Sequence, residues 1–356
     1  MALPGTGEAD RLLAEAALAF ERGEPEEALR QAEAAARLAP RSVPALHYRA
    51  AALTDLGRLP EARSAYTAAL AVGGDDPELL LGAADFLTAR LAGEPEREDL
   101  EEGLTLAQRG ERLARRRGAE GDDALRSELL LVQAAAHNQL GQSSEALAAA
   151  DAVLAVEPEA VDAMLERGFA LWELLRLDEA RDQLLSLLER APDEAWAHHT
   201  LGLVAERRGD AREAERRFAR ARRLAPDDFP EPVRLAEAAF DRAVEDALRE
   251  LPEQVRHYLA NVAIAVEPIP ADDDLRGSEP PLSPGILGIF RGSPLGQKGS
   301  DPWSHFPSSI VLYQRNLERF AHDRDDLLEQ IGITLLHEVG HFLGLDEEEL
   351  YERGLE

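Results

Sequence analysis

The sequence predicts a multidomain chain, an all-α solenoid of helical hairpins followed by a small α+β domain, and three observations carry that reading. Glu-Ala pairs recur with a 34-residue step, the texture turns to short β-type runs after Pro226, and a helical segment near the C-terminus carries two histidines four residues apart. The expected division is an N-terminal tail over 1–8, about six repeats over 9–228 and the second domain over 229–356.

The first element is the repeat. Glu27-Ala28 and Glu61-Ala62 are one step apart, and Glu145-Ala146, Glu179-Ala180 and Glu213-Ala214 continue at the same step, as do Pro158, Pro192 and Pro226. Gly23, Gly57, Gly141 and Gly209 each stand five residues before the alanine of their unit. Each unit therefore reads as a helix, a tight turn where glycine takes positive φ, and a second helix that alanine lets approach closely and proline later stops. A fixed period of this length is the mark of a solenoid. From Ala62 to Ala146 is two repeats plus 16 residues, so the third unit carries an insertion. Its second half reads as a lengthened helix ending near Arg115, Arg116 and Arg117, cations suited to a helix C-terminus.

The second element begins after the repeats. Residues 233–260 still read as helix, then 261–266, 285–290 and 308–314 are short β-type runs between Pro- and Gly-rich loops. Asp325 to Leu343 returns to helical spacing, with Leu328, Ile331, Leu335 and Leu336 as its expected apolar side.

Composition excludes several classes. The 356 residues hold 39 Lys and Arg against 69 Asp and Glu, a formal charge of -30, and no cysteine. Nucleic acid and anionic membrane surfaces are thereby poor partners, since binding either begins with phosphates neutralised by Lys and Arg. Disulfides, thiolate metal sites and cysteine nucleophiles are excluded together. The first twenty residues lack a basic segment before their apolar run, and no stretch of about 18 uncharged apolar residues occurs, so a soluble, cytoplasmic chain is expected.

The chemistry concentrates in His337, Glu338 and His341. Four residues apart on a helix, the two imidazoles project from one face and can share one Zn²⁺, while Glu338 beside the first stands within reach of a water to be activated. Gly344 falls where the helix must break to return the chain toward the metal. Glu347 stands ten residues after His337, where the extended motif HExxHxxGxxH has its third ligand, and Zn²⁺ accepts a carboxylate oxygen as it does an imidazole. Asp346 is the alternative, with His305 and His322 behind it.

These features carry two resemblances. The period, Gly168 and Gly202 in first helices, and the terminal prolines resemble tetratricopeptide repeats over about residues 9–228. From about 240 to 352, the helix FDRAVEDALRELPEQVRHYLANVAIAVE, the runs GILGIFRGSPL and IVLYQRNLERF, and the terminal HEVGHFLGLDEEEL resemble small bacterial zincin-like metallopeptidases. That second resemblance implies peptide hydrolysis with Zn²⁺ held by His337, His341 and an acidic third ligand, and with Glu338 as the proton acceptor. It departs from the larger metzincins, which carry a methionine turn beneath the metal, because Met1 and Met164 are the only methionines. Tyr313, Tyr351 and His305 are open choices for an oxyanion donor.

In tetratricopeptide hairpins the first helices line a concave groove. Registering the units on their prolines puts Phe169, Trp172, Trp196 and His199 at groove-facing slots, and aromatic anchors suit protein recognition. The expected function is a zinc peptidase whose repeats recruit a protein partner or substrate. The alternative is an interaction adaptor carrying a weakly active or inactive peptidase domain.

Overall fold

The computed structural model describes residues 6–89, 95–117, 122–295, 308–346 and 349–350. Six helical hairpins come first. They are α1 (Thr6–Glu21) with α2 (Pro25–Leu38), α3 (Val43–Asp55) with α4 (Leu59–Gly73), α5 (Pro77–Thr88) with α6 (Arg97–Arg117), α7 (Asp122–Gln139) with α8 (Ser143–Val156), α9 (Val161–Glu173) with α10 (Leu177–Arg190), and α11 (Ala195–Arg207) with α12 (Ala211–Leu224). The insertion of the third unit lengthens α6 to 21 residues, with Arg115, Arg116 and Arg117 in its last turn.

Packing explains the alanines. Ala28, Ala62, Ala146, Ala180 and Ala214, one per recurring pair, are all buried, so at these positions the second helices put only a methyl against their neighbours. Turns explain the glycines: Gly23, Gly57, Gly141 and Gly209 have φ between 68° and 77°. One hairpin breaks this rule. Leu175, one period after Gly141, holds φ 57° with its side chain buried, so packing there offsets a backbone cost of about 1–2 kcal/mol.

Contacts divide the chain into two compact units, Met1–Leu171 and Trp172–Glu356. The packing boundary therefore falls inside α9, and the last repeat helices belong to the same compact unit as the C-terminal domain, whereas the sequence period runs on to 228. Within the second unit, residues 233–260 form two helices rather than one, α13 (Glu237–Glu250) and α14 (Glu253–Leu259). Pro252 separates them, and Leu251 before it is extended, as the residue preceding proline must be.

The sheet has the order β1-β3-β2, with β1 (Ala263–Glu267) parallel and β2 (Gly288–Arg291) antiparallel to β3 (Ser309–Tyr313). A short α15 (Asp272–Leu275) follows β1, α16 (Gln314–Phe320) follows β3, and α17 (Arg324–Leu343) closes the fold. One sheet face packs on α13 and α17 through Ile310, Leu312, Phe240, Val244, Ile331, Leu335 and Val339. Across the strands, Arg291 donates to Glu267 of β1 at 3.0 Å and to Asp274 of α15 at 2.8 Å. The buried side of α17 is Leu327, Ile331, Leu335, Val339 and Phe342; Leu328, expected there, is 40% exposed, because a four-residue ridge rather than the 328 position meets the sheet. Among the described residues no helix is long and apolar enough to cross a membrane.

Candidate functional site

Helix α17 is closed at both ends by its own sequence. The Asp323 carboxylate accepts the N–H groups of Asp325 and Asp326 at 2.9 and 3.0 Å, capping the N-terminus. At the other end Gly344 takes φ 98°, and the N–H of Leu345 returns to the carbonyl of Gly340 at 3.0 Å. That left-handed stop turns the chain back over the last turn of the helix. It brings the Leu345 carbonyl to 3.1 Å from Nδ1 of His341.

The consequence is a defined imidazole. With Nδ1–H donating to Leu345, neutral His341 carries its lone pair on Nε2, and that atom lies 3.1 Å from Nε2 of His337, the two rings nearly perpendicular at 84°. Two nitrogens held about 2.0–2.1 Å from one Zn²⁺ are necessarily within about 4.2 Å of each other, so the pair fits a shared ion. A ring N–H given to a backbone carbonyl is also the usual support of a metal-binding histidine. These two donors fit; among the described residues no group of three His, Asp or Glu converges as a complete metal cage. Glu347, the expected third ligand, lies outside the described residues, as do His305 and Tyr351. Asp346, the alternative, accepts the N–H of Glu349 on Oδ1 at 2.9 Å while its own N–H donates to Glu349 Oε2 at 3.1 Å, a reciprocal capping pair. His322 is at the start of α17 beside Asp326, 15 residues before His337 in sequence.

Glu338 is buried on the side of α17 that faces β2. A β-carbon on Gly288 would stand 3.2 Å from its Oε1, 3.1 Å from its Cγ and 2.8 Å from Cγ2 of Thr334, so only glycine lets strand and helix approach this closely. His337, Glu338, His341 and Asp346 line a cleft of about 580 Å³ whose other wall is Leu282, Ile286, Leu287 and the first three residues of β2, Gly288 to Phe290. The cleft is mostly apolar, as peptide and small-molecule sites are, and Phe320, 56% exposed, stands at its rim. Tyr313 is not part of it; its hydroxyl donates to Asp274 at 3.3 Å.

The residues expected in a partner groove are differently placed. Trp196 and His199 meet around the chain's own Phe229, with ring centroids 4.7 and 4.5 Å from it, and burial together with the charges of Arg319 and Arg222 pushes the His199 imidazole down to about 3. Trp172 reaches the loop before β2, 3.7 Å from where a β-carbon on Gly285 would stand. Phe169 is half-buried and falls in the first unit. Sequence spacing alone misses Gly288, the Leu345 carbonyl and Phe229. Only the second had a signal, since Gly344 announces a chain reversal.

Residues 259–355 match the family model described as zincin-like metallopeptidase, and residues 13–78 and 131–195 match the tetratricopeptide repeat. Among solved structures the chain is similar to PilW, described as a widely conserved type IV pilus biogenesis factor, at 18% identity over 62% of this chain and 94% of that one, with a TM-score of 0.51. It is similar to PilF of Pseudomonas aeruginosa at 17% identity, over 62% of this chain and 93% of that one, with a TM-score of 0.50. At such identities the likeness is one of fold alone. A comparison with curated proteins finds no match.

Proposed function

From the premise that tetratricopeptide repeats are followed here by a zincin-like metallopeptidase domain, we propose that the protein is a zinc-dependent peptidase whose repeats recruit a protein partner or substrate. The observation that carries the reading is the approach of His337 Nε2 to His341 Nε2 at 3.1 Å, with the second ring oriented by Leu345 and Glu338 one residue away. His337, His341 and Glu347 would hold the ion. When bound, Zn²⁺ supplies Lewis-acid polarisation of the scissile carbonyl and a more acidic water. Glu338 takes the proton from the attacking water and passes it to the leaving amine.

The strand supplies orientation. Just before β2 the Leu287 carbonyl accepts the Tyr313 N–H at 2.8 Å, and Ile289 in the strand is the next residue opposite a hydrogen-bonding partner, Val311. By antiparallel alternation the amides of Gly288 and Phe290 point to the outer edge, which has no strand partner among the described residues. An extended peptide adding there as a further strand lies beside Glu338. For the repeats, Phe169, Trp196 and His199 remain the proposed recognition residues, and at the last two a partner takes the place of Phe229; Trp172, set against the loop at Gly285, is not offered to a partner.

The test is metal content with peptide cleavage by wild type and Glu338→Ala. About one zinc per chain, retained in the variant while cleavage drops by at least about 10², is the expected result. Protein that takes up no zinc from a zinc-containing buffer refutes the proposal. Zinc without cleavage of any peptide in a mixed library leaves the recruitment role alone.

A further inference from the structure

The cleft wall opposite α17 is the segment 282–287, which belongs to no helix or strand and contributes Leu282, Ile286 and Leu287 to the lining. Its shape depends on what grips it. From one side, Asn316 of α16, buried, donates Nδ2–H bonds to the carbonyls of Pro284 at 3.0 Å and Ile286 at 2.7 Å. Helix α16 is itself held by the last repeat, where Glu206 accepts from Arg315 at 2.9 Å and from Arg319 at 2.7 Å.

From the other side the grip comes from α9. Glu173, its last residue, is hydrogen-bonded to Ser283, and Ser283 Oγ in turn accepts the N–H of Gly285 at 3.0 Å. Trp172 packs over Gly285, and its indole Nε1 is buried with no hydrogen-bond partner among the described residues. A carboxylate in the last turn of a helix opposes the macrodipole, and a buried indole N–H without an acceptor costs about 1–3 kcal/mol. Neither residue therefore serves the stability of its own helix. Both contacts end on the same three-residue stretch of the wall, Ser283 to Gly285.

We propose that Glu173 and Trp172 are positioning residues for the substrate-facing wall of the cleft, so that the repeat array shapes what the site binds as well as bringing it there. The proposal rests on the peptidase reading for its catalytic consequence and on geometry alone for its structural one. Removing the Glu173 carboxyl frees Ser283 to turn away from Gly285, and removing the indole leaves Gly285 without a floor. Leu282, Ile286 and Leu287 then lose their fixed place, while His337, Glu338 and His341, on a capped helix with its own core, keep theirs.

The experiment uses the full chain with Glu173→Ala, Glu173→Gln, Trp172→Ala and Ser283→Ala, read by backbone hydrogen exchange and by steady-state cleavage. Both alanine variants on α9, and Ser283→Ala from the wall side, should speed exchange over 282–288 by about tenfold or more without changing α17. KM should rise about fivefold or more with kcat within about twofold of wild type, the pattern of lost ground-state positioning. Glu173→Gln, which still offers Ser283 an acceptor, should restore both readouts. Unchanged exchange over 282–288 in Glu173→Ala and Trp172→Ala overturns the proposal, as does a Gln variant no better than Ala. A wild type that cleaves nothing overturns the peptidase reading instead, and the exchange result still decides the wall. If one alanine variant fails to fold, Ser283→Ala and the Gln rescue decide.

Discussion

Gly288 lies so close to Glu338 that a single added methyl would stand 3.2 Å from the carboxylate and 2.8 Å from Thr334. Strand β2 therefore sits on the Glu338 side of α17 only because residue 288 has no side chain. Gly288→Ala has two ways to relax, outward movement of the edge strand or displacement of the Glu338 carboxylate, and both disturb the line between water, base and substrate. Overpacking of this kind costs about 1–3 kcal/mol. Cleavage should fall by about tenfold or more while zinc stays bound, and paired measurements of zinc content and kcat/KM check it; wild-type kcat/KM in the alanine variant refutes the contact.

The reversal at Gly344 ties backbone conformation to the orientation of His341, and through it to the proposed zinc site. With φ at 98°, an alanine there is strained whatever space surrounds it, at a cost of about 1–2 kcal/mol. The strain is relieved by unwinding the stop, which carries the Leu345 carbonyl away from His341 Nδ1. Gly344→Ala should bind zinc about 10–100-fold more weakly, since that is the usual penalty for losing the partner of a metal-binding histidine. Competition against a chromophoric chelator measures it, and unaltered affinity means that Leu345 does not orient the ring.

Turn glycines offer a cleaner backbone measurement. Gly209 has φ 77° and open space around its missing β-carbon, so Gly209→Ala changes strain and little else. It should destabilise by about 1 kcal/mol in urea denaturation. A variant as stable as wild type means that the hairpin between α11 and α12 has rearranged.

The turn between α9 and α10 shows how far the sequence could be read. Periodic features found the six hairpins, the long α6, the three strands and the helix that carries His337 and His341, because each leaves a local pattern of alanine, glycine, proline or alternating apolar residues. Leu175 escapes that logic: nothing local distinguishes a leucine forced to φ 57° by burial from an ordinary one. The face of α17 was offset by one residue at Leu328, since several apolar residues there compete and only the sheet selects among them. Pairs distant in sequence leave no pattern at all. Asn316 with Ile286, Glu173 with Ser283, and Phe229 between Trp196 and His199 are set by tertiary packing. Spacing put Trp196 and His199 on a helix face, and said nothing of what covers it.

Two half-buried groups, Glu173 and His199, give the second unit an acid-base signature of opposite signs. Burial raises the Glu173 carboxyl from 4.5 to about 7, against the hydrogen bond from Ser283, so between those values the folded chain keeps a proton that the unfolded chain has released. Stability from this group is greatest below pH 4.5 and is lost as pH rises toward 7. Burial, then the charges of Arg319 and Arg222, lower His199 from 6.5 to about 3, so below 6.5 the unfolded chain binds a proton that the folded one refuses. Its stability is complete above pH 6.5 and is lost as pH falls toward 3. The two trends overlap and mask one another in the wild-type profile, which is why difference profiles are needed. Relative to wild type, Glu173→Gln should gain roughly 1–3 kcal/mol between pH 5 and pH 8. His199→Phe, which preserves a ring against Phe229, should gain in the opposite direction, on going from pH 7 to pH 4. Urea denaturation of the three proteins across this range measures both differences, and a Glu173→Gln difference that is flat with pH means that the carboxyl is not buried against Ser283.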